Sequence, residues 1–487
     1  MKKIHIVLLS NFIFISSMFA QKANIFHERN FWKANPSIKV IDEKSSKGNN
    51  ISELNNNAFD AVVYAILENT DNNTIKYLLS KEGNSVNKKT HDGRTYIFWA
   101  AYKNNLELMK YLVSKDAKTN IVDDHGYTIL NFAASTGQTN TKMYDYLIKM
   151  AANIKTDKNR KGANVLLLVA PYLENYSLVS YLLSKGASLE DKDNNGNGIF
   201  EYAAKGGNIS LLETLIDKGV QKGENTMIFA SQGLRRKKNT LQTYKFLESV
   251  GVKTNCIDKD GKNPLHAIAY NNKDLATYSY FISKGVNVNL QDNKGRSPFM
   301  NAANNNTLEI VKFLSKKITN INSKDKKGRS ALIMSVQSNN KDVVKFLLGI
   351  GANINTEDAD GNTLSYYLIN IFKTTEFEDK LSILEKNGLV MNKLQYSKNT
   401  LLHIAAAQDN LALLKRLNSF NIDVNAENKD QLSALQIAAM ETKSIKILEY
   451  LLSIGAHKNI KTAFNETIYD LASENELLKN SNINFLK

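Results

Sequence analysis

The sequence predicts an all-α fold: an array of about twelve helix-turn-helix units joined by short β-hairpin fingers. Three observations carry this. A turn of the form D-x-x-G-x-[TS] returns about every 33 residues, with clear copies at Gly93, Gly126, Gly196, Gly261, Gly295, Gly328 and Gly361. Behind each turn lie two apolar stretches at helical spacing. The second stretch ends in V-x-x-L-L-x-x-G-A-x-[IV]-N. A fixed period of this length means one supersecondary unit that buries its apolar face on the next copy, so the 487 residues are expected to form one solenoid rather than several globules.

The elements follow in order. Lys2 and Lys3 precede the apolar run from Ile4 to Phe19, and Ala20 closes it, so residues 1–20 are expected to be a secretory signal peptide. Residues 21–54 are polar and without repeat, and are expected to be a tether or cover. Residues 55–90 hold a helical pair (AFDAVVYAILE, TIKYLLSKE) without the preceding glycine turn, as an N-terminal cap requires. Residues 91–473 are the array. In its unit at 325–357, Ala331, Leu332, Met334 and Val336 mark the first helix, and Val343, Val344, Leu347 and Leu348 the second.

The spacing breaks in two places. Gly196 to Gly223 is too short for a finger, and the next unit carries extra residues around GLRRKKN, so residues 217–240 are expected to be soft or bent. A second extension covers 369–380. Residues 474–487 are expected to be a C-terminal cap with a frayed end.

Composition narrows the function. The single cysteine, Cys256, excludes an internal disulfide or a zinc ribbon, and the seven histidines include no His-x-x-x-His pair. No phosphate-binding loop, nucleophile elbow or His-Glu-x-x-His motif occurs. The string DKDNNGNG at 191–198 lacks the closing glutamate of a calcium loop and is a finger turn. His91 and His125 lie near successive finger tips, close in sequence to Asp92, Asp123 and Asp124. They are read as solvated turn residues. Trp99 is read as core and Tyr102 as an exposed aromatic on the first helix of the same unit. No cofactor, metal or small-molecule substrate is expected.

The segments NPLHAIA (263–269), TLLHIAA (400–406), RSPFMNAA (296–303) and KGASLEDKDNNGNG (185–198), with the helix exits GANIN (351–355) and GVNVN (285–289), show that the chain resembles the ankyrin repeat family. Pro264 and Pro298 match that family's helix-start proline, and His266 and His403 its histidine, which the resemblance implies ties neighbouring fingers. The departures are units that lack both residues, such as ANVLLLVA and ENTMIFAS.

The resemblance also implies that residues flanking the turn glycines line a concave edge facing a partner. Here the turns DKDGK, DNKGR and DKKGR place Lys259, Lys262, Lys294, Arg296, Lys326, Lys327 and Arg329 in register, a basic stripe within a chain of net charge +15. The bland reading is a set of solvated turn lysines. Tyr102 and Tyr270 add aromatic anchors. The expected function is a non-catalytic protein-binding scaffold, exported and periplasmic, whose partner is another protein of acidic character. Nucleic acid is not expected, nor any membrane span once the signal is removed. The alternatives are a binder of anionic polymer or envelope surface, and a secreted effector or toxin-neutralising protein.

Overall fold

The structure, a computed structural model, describes residues 24–150, 152–235 and 237–487. The expected signal peptide lies outside these residues. Among those described there are 27 α-helices and no strand. Five of the described fingers close through isolated bridges, as between Lys324 and Ser330 or Glu357 and Thr363, so these hairpins are turns held by one pair rather than ribbons. Twelve helix pairs run from Ala61–Leu67 to Ile445–Ser453, and Ile468–Glu474 closes the array. The described residues within Met1–Ala203 and Ser210–Gln221 form one compact unit, and those within Ala204–Ile209 and Lys222–Lys487 another.

The first unit begins with a folded cover. Of the two expectations for this segment, the described residues 24–54 form the cover rather than the tether: the helices Arg29–Lys33 and Ile38–Ser46 pack on the first pair, and Phe26, Trp32 and Ile41 are wholly buried. The Trp32 Nε1 donates to the Phe26 carbonyl at 2.9 Å, which lets the indole be buried without an orphaned donor. The helices of this cover leave no period in the sequence, because Phe26, Trp32 and Ile41 stand apart from one another. Within the pairs the two helices differ in kind. Tyr96–Tyr102 buries every residue from Tyr96 to Ala101, since a first helix has neighbours on both sides. Leu106–Ser114 buries only the stripe Leu108, Met109 and Leu112. Asn105 caps that second helix, its side chain accepting from the Leu108 amide at 3.0 Å.

The second unit repeats this pattern in Pro298–Asn305 with Leu308–Ser315 and in Ala331–Ser338 with Lys341–Gly349. An asparagine between the two helices adds a tie to the unit before. The Asn306 Nδ2 donates to the carbonyls of Ala269 and Asn272, both at 2.9 Å, and the Asn339 Nδ2 to those of Ala303 and Asn306 at 3.0 and 2.9 Å. These carbonyls end a preceding first helix and its loop, so they have no helical partner of their own. The extension at 369–380 folds into the start of Phe377–Lys386, where Phe377 is buried and Lys380, also buried, donates to the Val336 carbonyl at 2.9 Å. The C-terminal residues 474–487 are not frayed: Leu478 and Leu486 are buried in short 3-10 turns.

Candidate functional site

Most of the glycine-bearing finger turns are built on their first aspartate, and the turn at Gly162 on Asn159 in its place. In the second unit the Asp292 Oδ1 accepts from the amides of Lys294 and Arg296 at 2.8 and 2.9 Å, and the Asp325 Oδ1 from those of Lys327 and Arg329, both at 2.9 Å. This is the side-chain-to-backbone bonding that favours aspartate in turns. All seven turn glycines have positive φ, between 70° and 88°. Successive turns are then joined by backbone. The Asn293 amide donates to Asp260 O at 2.8 Å, the Lys326 amide to Lys294 O at 2.9 Å and the Ala359 amide to Lys327 O at 2.9 Å. The turns from Gly261 to Gly361 therefore stand in a bonded row, and their side chains keep a fixed order.

Within that row the basic side chains divide into two kinds. Arg329 grips the buried Asp325 through Nε and Nη2 at 3.1 and 2.7 Å, and the Arg296 Nε lies 3.6 Å from the same carboxylate. Both arginines thus hold the frame together. Lys262 pairs with Asp260 of its own turn at 3.3 Å. Lys294, Lys326 and Lys327 are exposed and form no ion pair among the described residues; Lys259 is exposed as well. The next turn reverses sign. Asp360 is exposed there, and Asp358 accepts from Tyr367 Oη at 2.6 Å. Burial alone would raise the Asp358 carboxyl, but the hydrogen bonds from Tyr367, Asn362 and the turn amides hold it below the usual carboxylate range.

His266 and His403 occupy the third position of their helices. The His266 Nδ1 accepts from the Asn263 amide at 3.1 Å and its Nε2 donates to the Arg296 carbonyl at 3.0 Å. His403 does the same with the Thr400 amide and the Leu432 carbonyl, at 3.1 and 2.9 Å. Each histidine locks its own helix start to the next finger, and burial pushes both imidazoles below the ordinary histidine value. Pro264 and Pro298 stand at the first helical position, where no amide is needed.

The aromatic candidates lie in separate units. In the first, Trp99 is buried and donates to Thr90 Oγ1 at 2.8 Å, while Tyr102 stays 36% exposed and rests edge-on against Trp99. Tyr172 is equally exposed, and burial together with the nearby Tyr127 and Tyr102 hydroxyls raises its phenol pKa. His91 and His125 are not merely solvated. Their Nε2 atoms lie 3.5 and 3.3 Å from the same Asp92 carboxylate, which Arg94 also contacts at 3.0 Å, and His91 stacks on Phe59. In the second unit Tyr270 is 45% exposed just beyond Pro264–Ile268. Sequence reading passed over Tyr396 and Phe464, which sit in finger turns; Phe464 is 85% exposed. Their position in the turn was the available signal, hidden because these turns lack the glycine. Cys256 is half-buried, and its thiol is pushed up to about 11 by burial.

Comparison with known proteins accounts for this geometry. A family model described as ankyrin repeats (3 copies) matches residues 62–161, 227–325, 267–358 and 376–462, and a second, ankyrin repeats (many copies), matches 167–216. These segments make up more than half of the chain. The chain belongs to the ankyrin repeat family. It is similar to an ankyrin repeat protein of Rickettsia felis, 29% identical over 185 residues, which are 36% of this chain and 45% of the relative. The chain thus spans less than half the length of that relative. Ankyrin repeats are typically protein-interaction scaffolds and usually non-catalytic, and the matched segments are all repeats. Among the described residues of this ankyrin array, no helix is long and apolar enough to cross a membrane, and no group of three or more His, Cys, Asp or Glu is arranged to hold a metal ion.

Proposed function

We propose that this ankyrin array is a scaffold that holds a protein partner against its finger turns and the exposed ends of its first helices. The observation that carries the reading is Tyr102. First-helix side chains are otherwise buried in this pair, yet Tyr102 remains exposed while Trp99 and Phe132 support its ring from below. A large ring already held in place loses little freedom on binding, which is how aromatic anchors contribute most of an interface's affinity. Tyr270 offers a similar ring in the second unit. Because the turn backbones bond one another, the outward side chains are the part free to meet a partner. The basic and apolar run of residues 2–20 further supports export, with the periplasm as the working compartment.

The test is crosslinking and affinity capture of the full chain from its own cells, beside the Tyr102→Ala and Tyr270→Ala variants. A stoichiometric protein partner, weakened by at least one of the two changes, is the expected result. Capture of no protein under several growth conditions overturns the reading. Cell fractionation checks the compartment: recovery in the cytoplasm with residues 1–20 intact refutes export.

A further inference from the structure

The bonded turn row of the second unit carries a step in charge. Lys294, Lys326 and Lys327 point outward with no ion pair among the described residues. The aspartates of their own turns do not neutralise them outwardly, because Asp292 and Asp325 are buried, bonded to turn amides, and Asp325 is held by Arg329. One turn further on, Asp360 is exposed and forms no ion pair among the described residues. The hydrogen bond from the Ala359 amide to Lys327 O, 2.9 Å, fixes the negative turn next to the most positive one.

From this we infer that the row takes an extended segment of a partner protein in which an acidic block faces Lys294, Lys326 and Lys327 and an adjoining basic block faces Asp360. The inference rests on the scaffold reading above. A uniform polyanion would gain at the lysines and be repelled at Asp360, whereas a polypeptide with a charge boundary is favoured along the whole row. The backbone rungs keep the two signs in order, so the arrangement of charges, and not their sum, is what the row reads.

The experiment uses the full chain and fluorescent synthetic peptides: acidic-then-basic, basic-then-acidic, and an alternating peptide of the same composition. Inorganic polyphosphate is the fourth probe. One of the two block orders is expected to bind about tenfold tighter than the alternating peptide, as three or four exposed charge pairs allow. The variant K294E/K326E/K327E/D360K is expected to switch its preference to the opposite block order. That gain separates lost recognition from lost folding. Equal binding of block and alternating peptides overturns the inference. So does tight polyphosphate binding by the native chain without any preference among the peptides. If the captured partner depends on Tyr102 or Tyr270 but not on these four charges, the scaffold reading stands and the charge-order inference falls.

Discussion

The backbone of Gly328 runs against that of Ala359 so closely that a Cβ on Gly328 would overlap the Ala359 nitrogen. That nitrogen is the donor that joins one finger turn to the next. Gly361 also has positive φ, at 88°, but nothing lies within 4 Å of a Cβ built there. The two glycines therefore answer to different causes. Gly361→Ala is expected to cost only the left-handed backbone penalty, about 1–2 kcal/mol. Gly328→Ala adds the displacement of the neighbouring turn and is expected to cost roughly 2–4 kcal/mol. Urea unfolding of the two variants checks the difference; equal losses would refute the backbone contact.

The histidine ties make stability depend on pH. His266 and His403 are neutral in the fold, since each accepts an amide proton at Nδ1 while Nε2 donates. Burial lowers both pKa values from 6.5, so the unfolded chain binds more protons than the folded one below that point. Their contribution is thus full above about pH 6.5 and is lost as pH falls through and below it. Thermal melts should show a lower midpoint at pH 5.5 than at pH 7.5, and His266→Gln with His403→Gln should shrink that gap. An unchanged gap would assign the acid sensitivity to other groups.

Asn306 carries a heavier structural load than its place in a polar loop suggests. Its amide nitrogen serves the Ala269 and Asn272 carbonyls and lies 3.0 Å from Tyr278 Oη. Asn306→Ala leaves these groups buried without that donor, which is expected to cost about 2–3 kcal/mol. By contrast, Asn304→Ala, in the same run but without such bonds, should stay within about 0.5 kcal/mol of the native chain. Chemical denaturation of the pair decides it.

What the sequence revealed and what it hid have physical causes. The period exposed the turns because a left-handed glycine and an aspartate cap recur wherever a finger forms, and it placed both helices of each pair through their apolar spacing. The asparagine ties stayed hidden because Asn306 reads only as a polar loop residue; its carbonyl partners Ala269 and Asn272 lie more than thirty positions away. Trp32 and Lys380 are buried by tertiary packing that leaves no local pattern. The basic turns were visible as residues, but their pairing was not. Arg296 and Arg329 share one buried carboxylate, whereas Lys294, Lys326 and Lys327 face outward, and only geometry separates the two groups.

The broken spacing around Gly223 leads to the last prediction. Residues 218–225 join Ile209–Asp217 to Thr226–Gln232, and among them no bridge of the kind that closes the fingers at Gly126, Gly328 and Gly361 is formed. Further on, the Leu234 amide donates to Lys237 O at 2.8 Å, a bond confined to the inter-helix segment itself. The division of the chain into two compact units also falls at 204–222. In an array held by nearest-neighbour interfaces, a stretch without a finger has fewer long-range bonds protecting its amides and opens at lower free energy. Native-state hydrogen exchange should therefore be faster across 217–240 than across 298–349, where helix pairs and bonded turns are continuous. Equal protection in the two stretches would show that the lost finger has been compensated by other packing and that cooperativity passes through it undivided.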